Sequence, residues 1–240
     1  MLPIETKNPL FGLYLYPEAK EMMEEQQDKS WTAQEIPVDK DRHMYRHVLS
    51  SSQLHLTTTT LQIFVEIEQK VGEVWDKIGS WFPHSEIEGC SAEIARMEKS
   101  VHAFFYQKMS DVLNIDPKET ANIQQEVQAL KCKLEFLTSI TSNLDANKAL
   151  SLATLAIIEQ VLLFSNFAML KSFQSNGNNL LSSTVLGVDY VVRDEVMHGN
   201  FAIYLFKTFI HEDENQDKNI NHVKLGLDIY NLIEEIIRHE

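Results

Sequence analysis

Apolar residues recur along most of the chain at separations of three and four, the period of an α-helix with one inward face, while the two-residue alternation of a half-buried strand is scarce. The pattern predicts an all-α protein. After an irregular arm through Pro9, Pro17 opens a polar helix from Glu18 to about Lys29, since proline is tolerated in a first turn. Thr32 to Glu35 has the form of a capping box, and an acidic and basic turn follows at Asp39-Lys40-Asp41-Arg42. A long helix runs from about Leu49 through Leu61, Phe64, Val65, Val71 and Trp75. A connection centred on Pro83 leads to the next, from about Ser91 to Leu113. Asp116-Pro117 opens a polar helix to about Phe136, Asn143 to Asn147 make a break, and a strongly apolar helix covers Leu150 to Phe173 until Asn176-Gly177-Asn178-Asn179 ends it. The following helix carries Glu195 and His198. Beyond an acidic loop, His211 to Asn215, a final helix runs from about Asn219 to Glu240 and stops without a cap or breaker, which leads us to expect a chain shorter than its parent fold.

Composition narrows the picture. Eight Gly and six Pro in 240 residues reinforce the helical reading. A net charge of -14 argues against non-specific nucleic-acid binding. No apolar run is read as long enough to span a membrane, and the N-terminus lacks the basic and apolar regions of a secretory signal, so no membrane partner and a cytoplasmic location are expected. The two cysteines, Cys90 and Cys132, have no metal-ligand spacing, which fits a reducing setting.

Carboxylates set within apolar helix faces carry the candidate chemistry. Glu195 and His198, three apart, share a face with Val188, Val191, Val192, Gly199 and Ala202, so both can reach one metal ion in an apolar interior. Glu68 has Leu61, Phe64, Val65, Val71, Gly72 and Trp75 as turn-neighbours and faces the core, whereas Glu66 faces solvent. Glu98 precedes His102 by one turn. Glu159 lies alone in the apolar run from Leu155 to Phe164, where an uncompensated carboxylate is costly. Two helices with one glutamate each and two with a Glu/His pair form the ligand inventory of a di-iron or di-manganese carboxylate bundle. Four carboxylates offset most of the charge of two divalent ions, and two imidazoles leave room for O2.

With these motifs in place, the chain resembles the small, radical-generating β subunit of class I ribonucleotide reductase over nearly its whole length. The similarity is carried by Tyr16-Pro17-Glu18-Ala19 through Gln26-Gln27 to Trp31-Thr32-Ala33-Gln34-Glu35-Ile36 and Asp39-Lys40-Asp41. It continues in Val101-His102-Ala103-Phe104-Phe105-Tyr106 and in Arg193-Asp194-Glu195-Val196-Met197-His198. The resemblance implies an all-α, ferritin-like helical bundle with a dinuclear metal site in its core, residues 31–240, preceded by an N-terminal arm and first helix, residues 1–30. It implies metal ligation by Glu68, Glu98, His102, Glu159, Glu195 and His198, with two iron ions (or Mn/Fe, or Mn/Mn) and O2 as oxidant. It further implies a stable radical on Tyr106, an apolar pocket around it that includes Leu163, Phe167 and Val191, and a radical-transfer path through Trp31, Asp194 and His102. The implied partners are a large α subunit that reduces ribonucleotides and a second copy of the chain in a homodimer.

Two departures from the family pattern stand out. The family's first pair is Glu-x-x-His, but here Glu98-Lys99-Ser100-Val101-His102 is one residue longer. Either a local bulge keeps Glu98 at the metal, or Lys99 takes the position and its ammonium replaces positive charge. The bulge is the cheaper solution, because an ammonium beside two cations meets like-charge repulsion. The chain also ends before the family's usual C-terminal helices and the tail that docks on the large subunit. Two rival readings remain: a ferritin-like oxygenase or ligand-binding oxidase acting on a small organic substrate, and a metal-storage or purely structural helical protein.

Overall fold

The computed structural model describes residues 2–10, 12–115, 128–215 and 220–239, and among them there is no strand. Helix α1 (Pro17–Asp28) is followed by 3-10 turns at Ala33–Glu35 and Val38–Asp41, then by a short helix, α2 (Arg42–His47). Helix α3 (Ser51–Gly79) starts at a capping box in which Ser50 Oγ accepts from the Gln53 amide and Gln53 reaches back to Ser50. Helices α4 (Ser85–Met97) and α5 (Ala103–Leu113) are joined by a π turn, Glu98–His102. Helix α6 (Gln128–Thr141) comes next, and a second π turn, Ile158–Leu162, lies between α7 (Lys148–Ile157) and α8 (Phe164–Lys171). Helix α9 (Ser182–Asn215) and helix α10 (His222–His239) complete the described chain.

Two packed pairs make the bundle. Helix α3 lies along α4 and α5, helix α9 lies along α7 and α8, and α1 packs across α4 and α9. The interior is closed by large side chains with almost no exposure, among them Leu61, Phe64, Trp75, Phe105, Phe167 and Phe201. From Thr57 to Phe64, α3 is buried on every side, so it acts as the central helix rather than as a surface helix with one apolar stripe.

Long-range polar contacts fix the elements that the site depends on. Asp41 is fully buried and accepts from the Ser183 amide at 3.2 Å and from the Thr184 amide and hydroxyl at 2.6 and 2.8 Å, thereby capping the N-terminus of α9. Lys108 on α5 donates to the carbonyls of Ala33 and Ile36, both at 2.9 Å, and pins the segment after Trp31 against that helix. The N-terminal arm is tied down as well. Glu86 accepts from the amides of Leu15 and Tyr16, and Glu212 accepts from the Ile4 amide and the Tyr16 hydroxyl.

Three sequence expectations need correction. Residues 211–215 are not a loop but the last turn of α9, held by the contacts of Glu212 to the arm. The helix after Pro83 begins at Ser85 rather than Ser91. The segment Lys148–Gly177 is long and apolar enough to cross a membrane by length and composition, contrary to the expectation that no such run exists, yet 56% of its most apolar window is buried inside the bundle. The expected helix opening at Asp116-Pro117 lies outside the described residues up to Gln128.

Asp41→Ala leaves the buried amides of Ser183 and Thr184 without their side-chain acceptor and is expected to lower unfolding free energy by about 1–3 kcal/mol. Urea denaturation followed by helical circular dichroism measures it; an unchanged midpoint would remove Asp41 as the cap of α9.

Candidate metal centre

Four helices each bring ionisable groups to one buried point. Glu68 stands on α3, Glu98 and His102 open and close the first π turn, Glu159 sits in the second π turn, and Glu195 and His198 lie one turn apart on α9. None of the six is more than 1% exposed. Their ligand atoms form two overlapping groups, Glu68, Glu98, His102 and Glu195 in one and Glu98, Glu159, Glu195 and His198 in the other, with all atoms of a group within 4.8 Å of one another. Glu98 and Glu195 belong to both.

The first π turn resolves the extra residue between Glu98 and His102. A π turn accommodates five residues where an α turn has fewer, so Glu98 and His102 meet on the inner side. Glu98 Oε1 lies 2.7 Å from His198 Nδ1 and 3.8 Å from His102 Nδ1. Lys99 turns outward, and its ammonium pairs with Asp76 on α3. The Lys99 carbonyl in this turn accepts from Gln69 Nε2 at 3.1 Å. Nothing in the sequence of the apolar run around Glu159 signals the second π turn.

The cluster's own hydrogen bonds leave many polar atoms without partners. Glu68 Oε1, Glu98 Oε1, Glu159 Oε2, both carboxylate oxygens of Glu195 and both ring nitrogens of His198 are buried and have no well-directed hydrogen-bond partner outside the cluster itself. Convergent ligand atoms of this number, with too few donors among them to satisfy every acceptor, have the chemistry of a cation site, and carboxylate with imidazole suits iron or manganese. The residues present therefore fit a dinuclear centre.

Burial sets the protonation of this cluster in the metal-free protein. Burial, followed by repulsion from Glu195 and Glu68, lifts Glu98 well above the usual carboxylate range, and burial followed by repulsion from Glu195 does the same to Glu159. Burial also raises Glu68. For Glu195 burial works upward but is outweighed by hydrogen bonds from Glu159 and His102, and the carboxylate stays low. His198 is pushed down to about 4 by burial, whereas in His102 burial is overcome by hydrogen bonds to Asp194, Glu195 and Glu68, which raise it.

A hydrogen-bonded line leads outward from His102. Its Nε2 donates to Asp194 Oδ2 at 3.1 Å, and the same oxygen accepts from Trp31 Nε1 at 2.7 Å. The Trp31 ring also stacks over the imidazole, with centroids 6.0 Å apart. Arg193 donates to Asp194 Oδ1 through Nε at 3.0 Å and Nη2 at 2.8 Å and to the Lys29 carbonyl. A partner of this kind holds a ligand histidine in one tautomer and one orientation.

Tyr106 is fully buried on α5, one turn beyond His102, and its hydroxyl has no hydrogen-bond partner. Burial, then the charges of Glu68, Glu195 and Glu98, raise the phenol well above its ordinary value, so it holds its proton. Phe64 packs 4.7 Å from its ring, and Phe167 reaches it through Phe64, at 5.0 Å. Leu163 and Val191 are buried in the same core. Two residues that bear on the site were not singled out from sequence. Trp75, read as an apolar neighbour, donates its indole N–H to Glu159 Oε1 at 2.5 Å, and its place seven residues after Glu68 on one helix face was the available signal. Arg193, noted only within the motif, completes the hold on Asp194.

Known proteins are similar to this chain in sequence and in fold. The family model for the ribonucleotide reductase small chain matches residues 13–240. The ribonucleoside-diphosphate reductase small chain of Schizosaccharomyces pombe is 23% identical over 185 residues, covering 75% of this chain and 46% of that protein. Among solved structures, dimanganese(II)-NrdF of Streptococcus sanguinis superposes with a TM-score of 0.80 at 22% identity, covering 98% of this chain and 80% of the other. The Rnr4 homodimer of Saccharomyces cerevisiae gives 0.78 at 19% identity, covering 99% and 73%. The chain spans about half to two thirds of the length of the curated relatives it matches. A family match over nearly the whole chain, on a helical bundle whose interior gathers four glutamates and two histidines, places this protein in the ribonucleotide reductase small-chain family.

Proposed function

We propose that this protein is the radical-generating subunit of a class I ribonucleotide reductase, with Glu68, Glu98, His102, Glu159, Glu195 and His198 holding two metal ions. The observation that carries the reading is the line from His102 through Asp194 to Trp31, which joins the ligand cluster to an aromatic side chain on the opening segment of the bundle. When bound, the metal pair with O2 supplies the one-electron oxidant. Tyr106, whose buried phenol holds its proton, would be the group that gives up an electron and that proton. Phe64, Phe105 and Phe167 fill the space around the ring and exclude water and reductants. Trp31 passes the oxidising equivalent toward a large subunit while its N–H proton is held at Asp194 Oδ2. Pairing with a large subunit, reduction of ribonucleotides there, a homodimeric state and a cytoplasmic setting complete the proposal. What favours it over an oxygenase acting on a small organic substrate is this packing, since aromatic rings occupy the volume beside Tyr106.

Protein loaded with iron or manganese and exposed to oxygen is expected to bind up to two ions and to show a tyrosyl electron-spin-resonance signal that Tyr106→Phe abolishes. A signal that survives the substitution would move the radical elsewhere. Trp31→Phe is expected to leave that signal in place while lowering turnover with the large subunit at least about tenfold, roughly 1.4 kcal/mol of barrier; full turnover would take Trp31 off the path.

Stability should also depend on pH in a definite direction. Glu68, Glu98, Glu159 and His102, raised in the native protein, keep protons that the unfolded chain has released, so their contribution is full at low pH and lost as pH rises through the native values. The depressed groups, His198, Asp194 and Glu195, act oppositely, but they have finished titrating in both states by about pH 7.5. Metal-free protein is therefore expected to melt at lower temperature at pH 9 than at pH 7.5. Manganese(II) should flatten that slope by taking the place of the protons. Scanning calorimetry at the two values decides it, and a metal-free melting temperature that rises with pH would contradict the assigned protonation.

A further inference from the structure

Both π turns press against a glycine. A Cβ built on Gly72 of α3 would lie 2.5 Å from Lys99 Cγ and 3.1 Å from Glu98 Cβ, and one on Gly199 of α9 would lie 2.5 Å from Gln160 Nε2 and nearer still to Gln160 Cγ. Separations below 3 Å essentially never occur between real Cβ atoms and their neighbours, so the Lys99 or Gln160 side chain, whose Cγ is fixed close to its own turn, or the turn itself would have to move. Gly72 stands four residues after Glu68 and Gly199 four residues after Glu195. Each glycine is therefore one turn beyond a cluster carboxylate, and each faces the π turn that carries another.

We propose that Gly72 and Gly199 are positioning residues of the carboxylate cluster: each clears the space into which the neighbouring helix bulges, and so sets the reach of Glu98 and Glu159. The inference rests on the metal-binding reading above. A π turn widens its helix by one residue, and the extra backbone has to go outward against whatever packs there. Glycine weakens the interior of a helix relative to alanine, so two glycines inside the long helices α3 and α9 are unfavourable unless a close approach requires them. At each bulge a side-chain amide also bridges the same helix pair, Gln69 Nε2 to the Lys99 carbonyl at 3.1 Å and Gln160 Nε2 to the Val196 carbonyl at 3.3 Å. Alanine at either position would push the π turn away from its partner helix and draw the carboxylate out of the cluster.

The two substitutions should differ in their effect. Glu98 belongs to both ligand groups, whereas Glu159 belongs only to the one with His198. The test loads each protein anaerobically with manganese(II), removes the excess by desalting and counts the metal per chain by mass spectrometry, with helical circular dichroism recorded alongside. Wild type and Gly226→Ala, a helical glycine whose Cβ would meet nothing within 4 Å, are expected to retain two ions. Gly199→Ala is expected to retain about one ion and Gly72→Ala fewer than one, a loss of half and of more than half of the metal. Removing the colliding side chain should restore loading, in Gly199→Ala with Gln160→Ala and in Gly72→Ala with Lys99→Ala. Wild-type loading in the single alanine variants would overturn the proposal. So would low loading, or loss of helix, that the second substitution fails to repair. A wild type that takes up no metal would overturn the metal-binding reading and this inference together, whereas the other two outcomes leave that reading standing.

Discussion

Six ionisable side chains buried in a helical interior are the constraint that the rest of this bundle serves. Carboxylates and imidazoles removed from water are tolerated only when protons, hydrogen-bond donors or cations neutralise them. Every major element contributes to meeting that condition. The indole of Trp75 holds Glu159, the carboxylate of Asp194 holds His102, and proton sharing holds the glutamates in the metal-free protein. The large buried side chains of the core, among them Trp75, Phe64, Phe105 and Phe201, provide the stability that such a centre reduces. The cluster is thus a local liability in folding terms and the feature around which the fold is built.

How much of this could be read from the chain depended on whether a residue's role left a mark in the spacing. Helix faces are periodic, so Glu68, Glu195 and His198 could be assigned to the core from their neighbours three and four residues away, and Glu66 could be set apart from Glu68 on the same grounds. The first π turn also left a mark, since an extra residue separates Glu98 from His102. The second left none. Glu159 stands in a stretch where nearly every neighbour is apolar, and a one-residue change of register there moves one apolar side chain into the place of another. Asp41 was equally silent, because its partners at Ser183 and Thr184 lie more than a hundred residues away and a cap across that distance has no local signature. The turn at 211–215 was misread because acidic residues in sequence signal solvent, whereas Glu212 is turned inward to Tyr16 and Ile4.

Fixing helix α9 matters more than its length suggests. Its N-terminus is capped by Asp41, its middle carries Asp194, Glu195 and His198, and its last turn anchors the N-terminal arm through Glu212. One rigid rod thus connects the opening segment, the ligand cluster and the far end of the bundle. The segment bearing Trp31 is fixed independently by Lys108 on α5, the helix that also carries Tyr106. Donor and acceptor of the proposed electron path are therefore referred to the same two helices, and their separation is a property of the core rather than of a loop.

The hydrogen bonds of Asp194 have one more implication. A carboxylate offers about four lone pairs, and here all are taken: Arg193 uses Oδ1 twice, and Trp31 and His102 share Oδ2. No capacity is left for a water molecule, and the residue is 1% exposed. The carboxylate between indole and imidazole therefore holds one hydrogen from each end on Oδ2, while Arg193 closes its other oxygen. On the proposed path, a hydrogen that shifts from Trp31 toward Oδ2 would stay within this junction and return when the indole is reduced again.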